Sequence, residues 1–326
     1  GLYVRFDPTR AIDYWRPHDV FLYVNDRQVG ELLNTIPDGD YGFAVPGEYL
    51  NFSPASSARN RLRVETRYLN GGHFVVATDS AGAADLAQEL TNPIADLVTV
   101  PIQMNLDNGI GPADDGSKLT TNVQPVIPFD IGENWNLVTR TIVPVTYQND
   151  IFPGAGSQFG LGDINLSLFF SPKKPTSGGL IWGIGPVLLL PTATENLLGA
   201  KKWGAGPTAV ALTMRGPWTV GMLANHIWSF AGDSDRQDIN STFVQPFAAY
   251  TWPSAWTVSL QSETTYNWKT EKWSVPVNVA VSKLFRLGKL PVSLQAGVGY
   301  WAESPETGPE GFRFRLQANF VLPKLF

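Results

Sequence analysis

From Ile94 to the C-terminus the chain is a series of segments of roughly ten residues in which apolar and polar side chains alternate. Clusters of Gly, Pro, Asn, Asp and Ser separate the segments. Alternation with period two places successive side chains on opposite faces of an extended backbone. A dozen such segments in succession restrict the chain to an all-β fold, a sandwich or a barrel. The segments fall at 97–108, 118–131, 135–148, 162–171, 180–191, 203–214, 218–231, 239–252, 255–269, 273–284, 290–302 and 311–323.

The composition of the two faces separates sandwich from barrel. In the second segment Leu119, Thr121, Val123, Pro125, Ile127 and Phe129 oppose Thr120, Asn122, Gln124 and Asp130. In the third, Trp135, Leu137, Val143, Val145 and Tyr147 oppose Asn136, Arg140, Thr146 and Gln148. The ninth sets Trp256, Val258, Leu260, Tyr266 and Trp268 against Thr257, Ser259, Gln261, Glu263 and Asn267. The eleventh sets Val292, Leu294, Ala296, Val298 and Tyr300 against Ser293, Gln295, Gly297 and Gly299. The last sets Phe312, Phe314, Leu316, Ala318 and Phe320 against Arg313, Arg315, Gln317 and Asn319. A sandwich in water would carry Lys and Glu on its outer face. Amides and hydroxyls with a few charges suit an enclosed wet lumen, and aromatics at segment ends suit the girdles where rings meet lipid headgroups. Trp135, Tyr147, Trp256, Trp268 and Tyr300 are the girdle candidates.

Composition agrees. Charged residues make up 16% of the chain, well below the roughly 25% of soluble proteins. The longest apolar run, Leu180 to Pro191, is broken by Gly183, Gly185 and Pro186, and falls short of the ~20 residues of a membrane helix. The chain has no cysteine, hence neither disulfides nor thiolate metal sites. A net charge of −5 gives no electrostatic case for nucleic acid as a partner. The chain starts at Gly1 without a signal peptide, which for an exported barrel reads as a mature form or a fragment.

The expected architecture is a transmembrane antiparallel β-barrel of about 12 strands at 93–326, preceded by a small Ig-like β-sandwich at 1–78 and a linker at 79–92 whose residues Ala81–Leu90 favour helix. The sandwich rests on hairpin patterns around Asn25-Asp26 and Asn70-Gly71-Gly72. Segments five to seven are apolar on both sides and rich in glycine (Gly183, Gly185, Gly204, Gly206, Gly221), a mark of curvature or of an inner element packed closely against them. Short turns at Gly132-Glu133-Asn134, Arg215-Gly216-Pro217 and Pro253-Ser254 are assigned to the periplasm, and the longer acidic connections to the cell exterior.

Several blocks resemble a family of Gram-negative outer-membrane proteins, the MetA-pathway phenol-degradation or "neuromedin U-like" transporters. They include Gln124-Pro125-Val126-Ile127-Pro128, Asn136 through Pro144, Phe159-Gly160-Leu161-Gly162-Asp163, Leu190-Pro191-Thr192-Ala193-Thr194, Lys202-Trp203-Gly204-Ala205-Gly206-Pro207 and Asn225 through Gly232. The resemblance spans residues 85–326 and leaves 1–78 outside. It implies a porin-like barrel in the bacterial outer membrane that transports small molecules, aromatic or hydrophobic ones among them. It carries over no transport residues.

On the register above, Arg140, Asp163, Glu263, Arg313 and Arg315 point inward and form either a charged constriction or a structural ion-pair network. Asn122, Gln124, Gln245, Gln317 and Asn319 line the same face. His226 and Ser229, three apart on a strand, lie on opposite faces and make no catalytic pair. The acidic exterior loops, Asp114-Asp115, Asp233-Asp235-Asp238 and Glu303-Glu306-Glu310, either bind Ca²⁺ or bridge lipopolysaccharide through divalent ions or, as is commoner for such runs, are merely solvated; no His/Asp cluster has metal-ligand spacing, and no cofactor is implied. Phe326, closing an alternating strand, resembles the signal read by the barrel-assembly machinery. The expected partners are thus outer-membrane lipids, a small solute and that machinery. The expected function is passive transport without enzymatic activity. The alternative is a display or adhesion protein whose N-terminal sandwich binds a partner or glycan.

Overall fold

A computed structural model describes residues 82–288 and 290–323 in full, and over residues 2–81 the backbone of the secondary-structure elements. The chain divides into two compact units, 1–82 and 83–326. The first holds β1 (Leu2–Phe6), β2 (His18–Val24), β3 (Arg27–Thr35), β4 (Tyr41–Val45), β5 (Leu62–Tyr68) and β6 (His73–Ala77). β1 pairs with β4, and β3-β2-β5-β6 form a separate antiparallel sheet. Both expected hairpins are present as backbone pairings; the face-to-face packing that would make a sandwich lies outside the described residues.

After α1 (Asp79–Glu89) the chain is strand throughout: β7 (Val98–Ile110), β8 (Gly116–Val123), β9 (Val126–Asp130), β10 (Trp135–Asn149), β11 (Ser157–Leu161), β12 (Ile164–Pro172), β13 (Leu180–Leu190), β14 (Lys202–Arg215), β15 (Trp218–Gly232), β16 (Asn240–Thr251), β17 (Trp256–Ser262), β18 (Thr264–Asn267), β19 (Lys272–Leu287), β20 (Leu290–Glu303) and β21 (Phe312–Leu322). Three courses are each broken once, into β8/β9, β11/β12 and β17/β18, so the wall has twelve courses. It closes where β21 pairs with β7, Leu316 opposite Met104. Closure leaves no open edge, as a membrane demands. No helix among the described residues is long and apolar enough to cross a membrane.

Two breaks correct the expected segments. The fourth course begins at Ser157, not 162, and shortens the connection before it. The ninth is interrupted at Glu263, opposite an irregular register at Val275/Pro276. Pro276 has no N–H to donate to the ladder, and its carbonyl accepts from the Ser262 hydroxyl at 2.8 Å.

The outer wall is apolar: Met104, Leu260, Met222, Val279, Leu294, Phe314 and Leu316 are all exposed. Inside, at the end marked by the short turns, lies a small apolar core. Val126, Val138, Phe169, Val210, Leu212 and Leu223 project inward around Ile94, from the segment after α1. That segment is an inner element that Gly183 accommodates: a Cβ on Gly183 would stand 3.2 Å from the Phe169 Cβ and 3.4 Å from the Ile94 Cδ1, whereas Gly185, Gly204, Gly206 and Gly221 of β13–β15 are close to atoms of neighbouring strands. Both faces of these strands are apolar because one meets lipid and the other meets Ile94 and its neighbours. A second cluster, Ala87, Ala255 and Leu284 with Leu86 and Leu90, seats α1 against the turns. Gln88 Nε2 donates to the carbonyls of Gly216 (2.9 Å) and Trp218 (3.4 Å), and the Thr91 and Thr219 hydroxyls meet at 2.8 Å. Gly216, at φ 54°, supplies the left-handed turn that aims its carbonyl there. Val292 departs from the expected pattern. Its parity points outward, yet it is buried, opposite Phe320.

Candidate functional site

The first course carries Gln103, Asn105 and Asp107 on its inward phase, and the last carries Arg313, Arg315, Gln317 and Asn319 on its own. Register places Arg315 directly opposite Asn105 and Gln317 opposite Gln103. A belt of charge follows. Arg313 Nη2 donates to Asp107 Oδ2 at 3.1 Å, and its guanidinium lies 5.0 Å from the Trp301 ring centre. Trp301 Nε1 donates to the other Asp107 oxygen at 2.9 Å. Arg315, only 2% exposed, donates from Nε to Asn105 Oδ1 at 2.7 Å and from Nη2 to Glu263 Oε2 at 2.6 Å. Glu263 also receives Arg313 Nη1 at 3.4 Å. The break in the ninth course lets Glu263 reach residues of the last course past the two courses between them.

Arg140 enters from the third course, and its Nη2 donates to Gln124 Oε1 at 2.9 Å. Lys118 stands opposite Asp107 in register. Among the described residues neither Arg140 nor Lys118 has a carboxylate within the 4.0 Å of an ion pair.

Between this belt and α1 the lumen holds a cavity of about 200 Å³ for water. Arg140 and Glu263 line it, together with the amides of Gln103, Gln124, Gln245, Gln261, Gln295 and Gln317. Apolar side chains share the lining, Leu90, Leu97, Val126, Leu223 and Phe247, with Val126 cross-strand from Arg140, Leu223 from Gln245 and Phe247 from Gln261. Asn319 also lines the cavity, and Asn122 faces inward opposite Gln103.

Asp163 is elsewhere. Its carboxylate accepts the backbone N–H groups of Ala193 (3.1 Å) and Ala200 (2.6 Å) and so staples the 192–201 loop over the far mouth. Gln148 Nε2 reaches the Leu197 carbonyl in that loop at 3.4 Å. The expectation that Asp163 belongs to the charged belt is corrected on this ground. Lys202 closes the same mouth with an ion pair to Asp238 at 3.0 Å. Hydrogen bonds from Lys202 and Ser229 hold the Asp238 carboxyl below the usual carboxylate range.

Trp135, Tyr147, Trp256, Trp268 and Tyr300 all face outward and are exposed. Trp135 meets Trp182 edge-on at 5.9 Å, and Tyr300 meets Phe312 at 5.4 Å. His226 also faces outward, against Trp228 at 4.0 Å. The Thr242 hydroxyl accepts Trp268 Nε1 at 2.8 Å and contacts His226 Nδ1 at 2.7 Å. Ser229 is engaged instead with Asp238 at 3.2 Å. Phe326 lies outside the described residues.

Sequence reasoning missed Asp107, Asn105, Lys118 and Trp301. The alternating Gln103, Asn105 and Asp107 was a usable signal for the first two. Trp301 shares parity with Gln295 and points inward, where a tryptophan at a strand end reads as girdle.

No protein-family model matches the chain, and no curated protein matches it. Among solved structures, the crystal structure of the COG4313 outer membrane channel from Pseudomonas putida F1 is similar with a TM-score of 0.55 and 17% identity, over 69% of this chain and 96% of that one. Outer membrane phospholipase A from Escherichia coli follows at 0.41 and 12%, over 76% and 99%. The NanC porin gives 0.40 and 9%, over 69% and 99%. The expectation that this chain has no enzymatic activity is corrected to an open one, since the similar solved barrels include outer membrane phospholipase A. At that TM-score the likeness assigns no activity to this chain. What the comparisons establish is the fold, an outer-membrane type of twelve-course barrel, shared with a channel.

Proposed function

We propose that this chain is an outer-membrane channel for small solutes, which cross through the lumen cavity between the charged belt and α1. The observation that carries this reading is the pairing of an apolar outer wall with a lumen walled by amides and guanidinium groups. The cavity leaves hydrated space beside Arg140 and Glu263, and fixed charge along a pore is how pores sort solutes. The likeness to a channel supports the same reading. So does the resemblance of the barrel segments to the phenol-degradation transporters, which favours small aromatic or hydrophobic cargo. In this reading Arg140, Glu263, Arg313 and Arg315 form the constriction, α1 is the periplasmic stopper, and the exposed tryptophans and tyrosines anchor the barrel among outer-membrane lipids. Residues 1–78 form a separate small β domain.

Reconstitution of the full chain in planar bilayers tests the proposal. Discrete conductance steps, together with swelling of loaded liposomes by small neutral solutes, are expected. A barrel that inserts but neither conducts nor admits solute overturns it.

A further inference from the structure

We infer that the lumen site selects small organic anions, a carboxylate carried on a compact apolar or single-ring body. The inference rests on the channel reading above and adds its sign and substrate class. The belt holds four cationic side chains, Lys118, Arg140, Arg313 and Arg315, and two carboxylates, Asp107 and Glu263. Asp107 and Glu263 are both engaged by Arg313, and Glu263 also by Arg315. The remaining positive charge has no ion-pair partner among the described residues. Arginine stays protonated at any pH the membrane meets, and the three arginines alone outnumber the two carboxylates, so one positive charge of the excess is a fixed property of the lumen.

Three features point to an anionic ligand. Among the described residues Arg140 has one hydrogen bond, to a neutral amide, and it lines the cavity. Beside Glu263 and just off the cavity lining, Arg315 Nη1 is a buried donor with no partner among the described residues, on a side chain that is 2% exposed, and an unmatched buried donor is costly unless something accepts from it. The glutamine amides around the cavity supply further N–H donors that can turn toward an oxyanion. The apolar part of the lining sets the rest of the molecule. Leu223, Phe247, Val126 and Leu90 offer apolar contact and no charge, which suits a ring or short alkyl body and gives nothing to the hydroxyls of a sugar phosphate. A guanidinium matches a carboxylate with two parallel hydrogen bonds.

The test uses the full chain in planar bilayers with a potassium chloride gradient, and benzoate, benzyl alcohol and benzylammonium as probes of one shape and three charges. The expected result is a reversal potential of the sign given by chloride passing several-fold more readily than potassium. Benzoate is expected to reduce the chloride current at millimolar concentration, with the other two probes without effect. Arg140→Gln should bring the permeability ratio toward one and abolish the benzoate effect. Arg140→Lys should keep the selectivity and weaken the effect of benzoate. A conducting channel that prefers potassium, or that all three probes affect equally, overturns the anion site and leaves the channel reading intact. Absence of conductance overturns both. The wild-type reversal potential decides the sign even if a variant fails to insert.

Discussion

Glu263 faces two arginines, and the charge balance of the lumen depends on it. Arg315 is almost wholly buried and Arg313 nearly so, while the carboxylate is partly open to the lumen. Removing one partner of a buried pair typically costs 3–5 kcal/mol because the other charge is stranded. A wet lumen reduces that penalty, so Glu263→Gln should destabilise the folded barrel by about 2–3 kcal/mol, read as a lower urea midpoint for unfolding from vesicles. It should also raise chloride selectivity; no change in either would mean that the pair braces nothing. A second test separates the two faces. Leu316 and Gln317 are neighbours, one exposed on the outer wall and one lining the cavity. Arginine at a lipid-facing midplane position costs about 2–4 kcal/mol, so Leu316→Arg should lose that much folding free energy and Gln317→Arg should lose clearly less. Asp238 gives a pH prediction. Its carboxyl is held below the ordinary range, so the folded form binds the proton less readily than the unfolded one. The stabilising tie to Lys202 is therefore complete above the unfolded carboxylate pKa and is lost as the pH falls through the depressed folded value. The 192–201 and 233–239 loops should loosen only in acid, seen as faster proteolysis there, and Asp238→Asn should show the loose behaviour already at neutral pH.

Among the elements, α1 and the segment after it decide whether the lumen is open. Gln88, Thr91 and Ile94 fasten it to the turn at Gly216, to Thr219 and to the apolar core. The chain has no cysteine, so a crosslink can be introduced cleanly. The hydroxyls of Thr91 and Thr219 are close enough for Thr91→Cys with Thr219→Cys to form a disulfide. Oxidation should reduce conductance to a small fraction of its value and a reductant should restore it; unchanged current in the oxidised form would mean that solute passes with α1 in place. The same element explains what was legible in the sequence. Strands facing lipid on one side and polar lumen on the other, such as β10 and β21, show clean alternation. β13, β14 and β15 face lipid outside and Ile94 inside, so their period-two signal is erased. Of their glycines only Gly183 meets that inner element, the others meeting neighbouring strands, so the glycine cluster announced close approach without naming the partner, which lies far away in sequence. The breaks at Glu263 and before Ile164 were invisible for a similar reason, as each depends on a register set by a neighbouring strand.

For the whole molecule, the alternation was enough to give a closed twelve-course barrel, and it placed Arg140, Glu263, Arg313 and Arg315 on one face. It did not show that Asp163 turns away to bind loop backbone, since parity fixes the side of the wall and not the partner found there. A wall with a lipid side and a water side is what everything else requires. Its most direct test is to place single cysteines by Leu316→Cys and by Gln317→Cys, label each with a nitroxide in bilayers, and compare collisions with oxygen dissolved in the lipid and with a water-soluble nickel chelate. Position 316 is predicted to be accessible to oxygen and shielded from nickel, with a lower ratio of oxygen to nickel collisions at 317. Nickel access at 316 equal to or above that at 317 would contradict it.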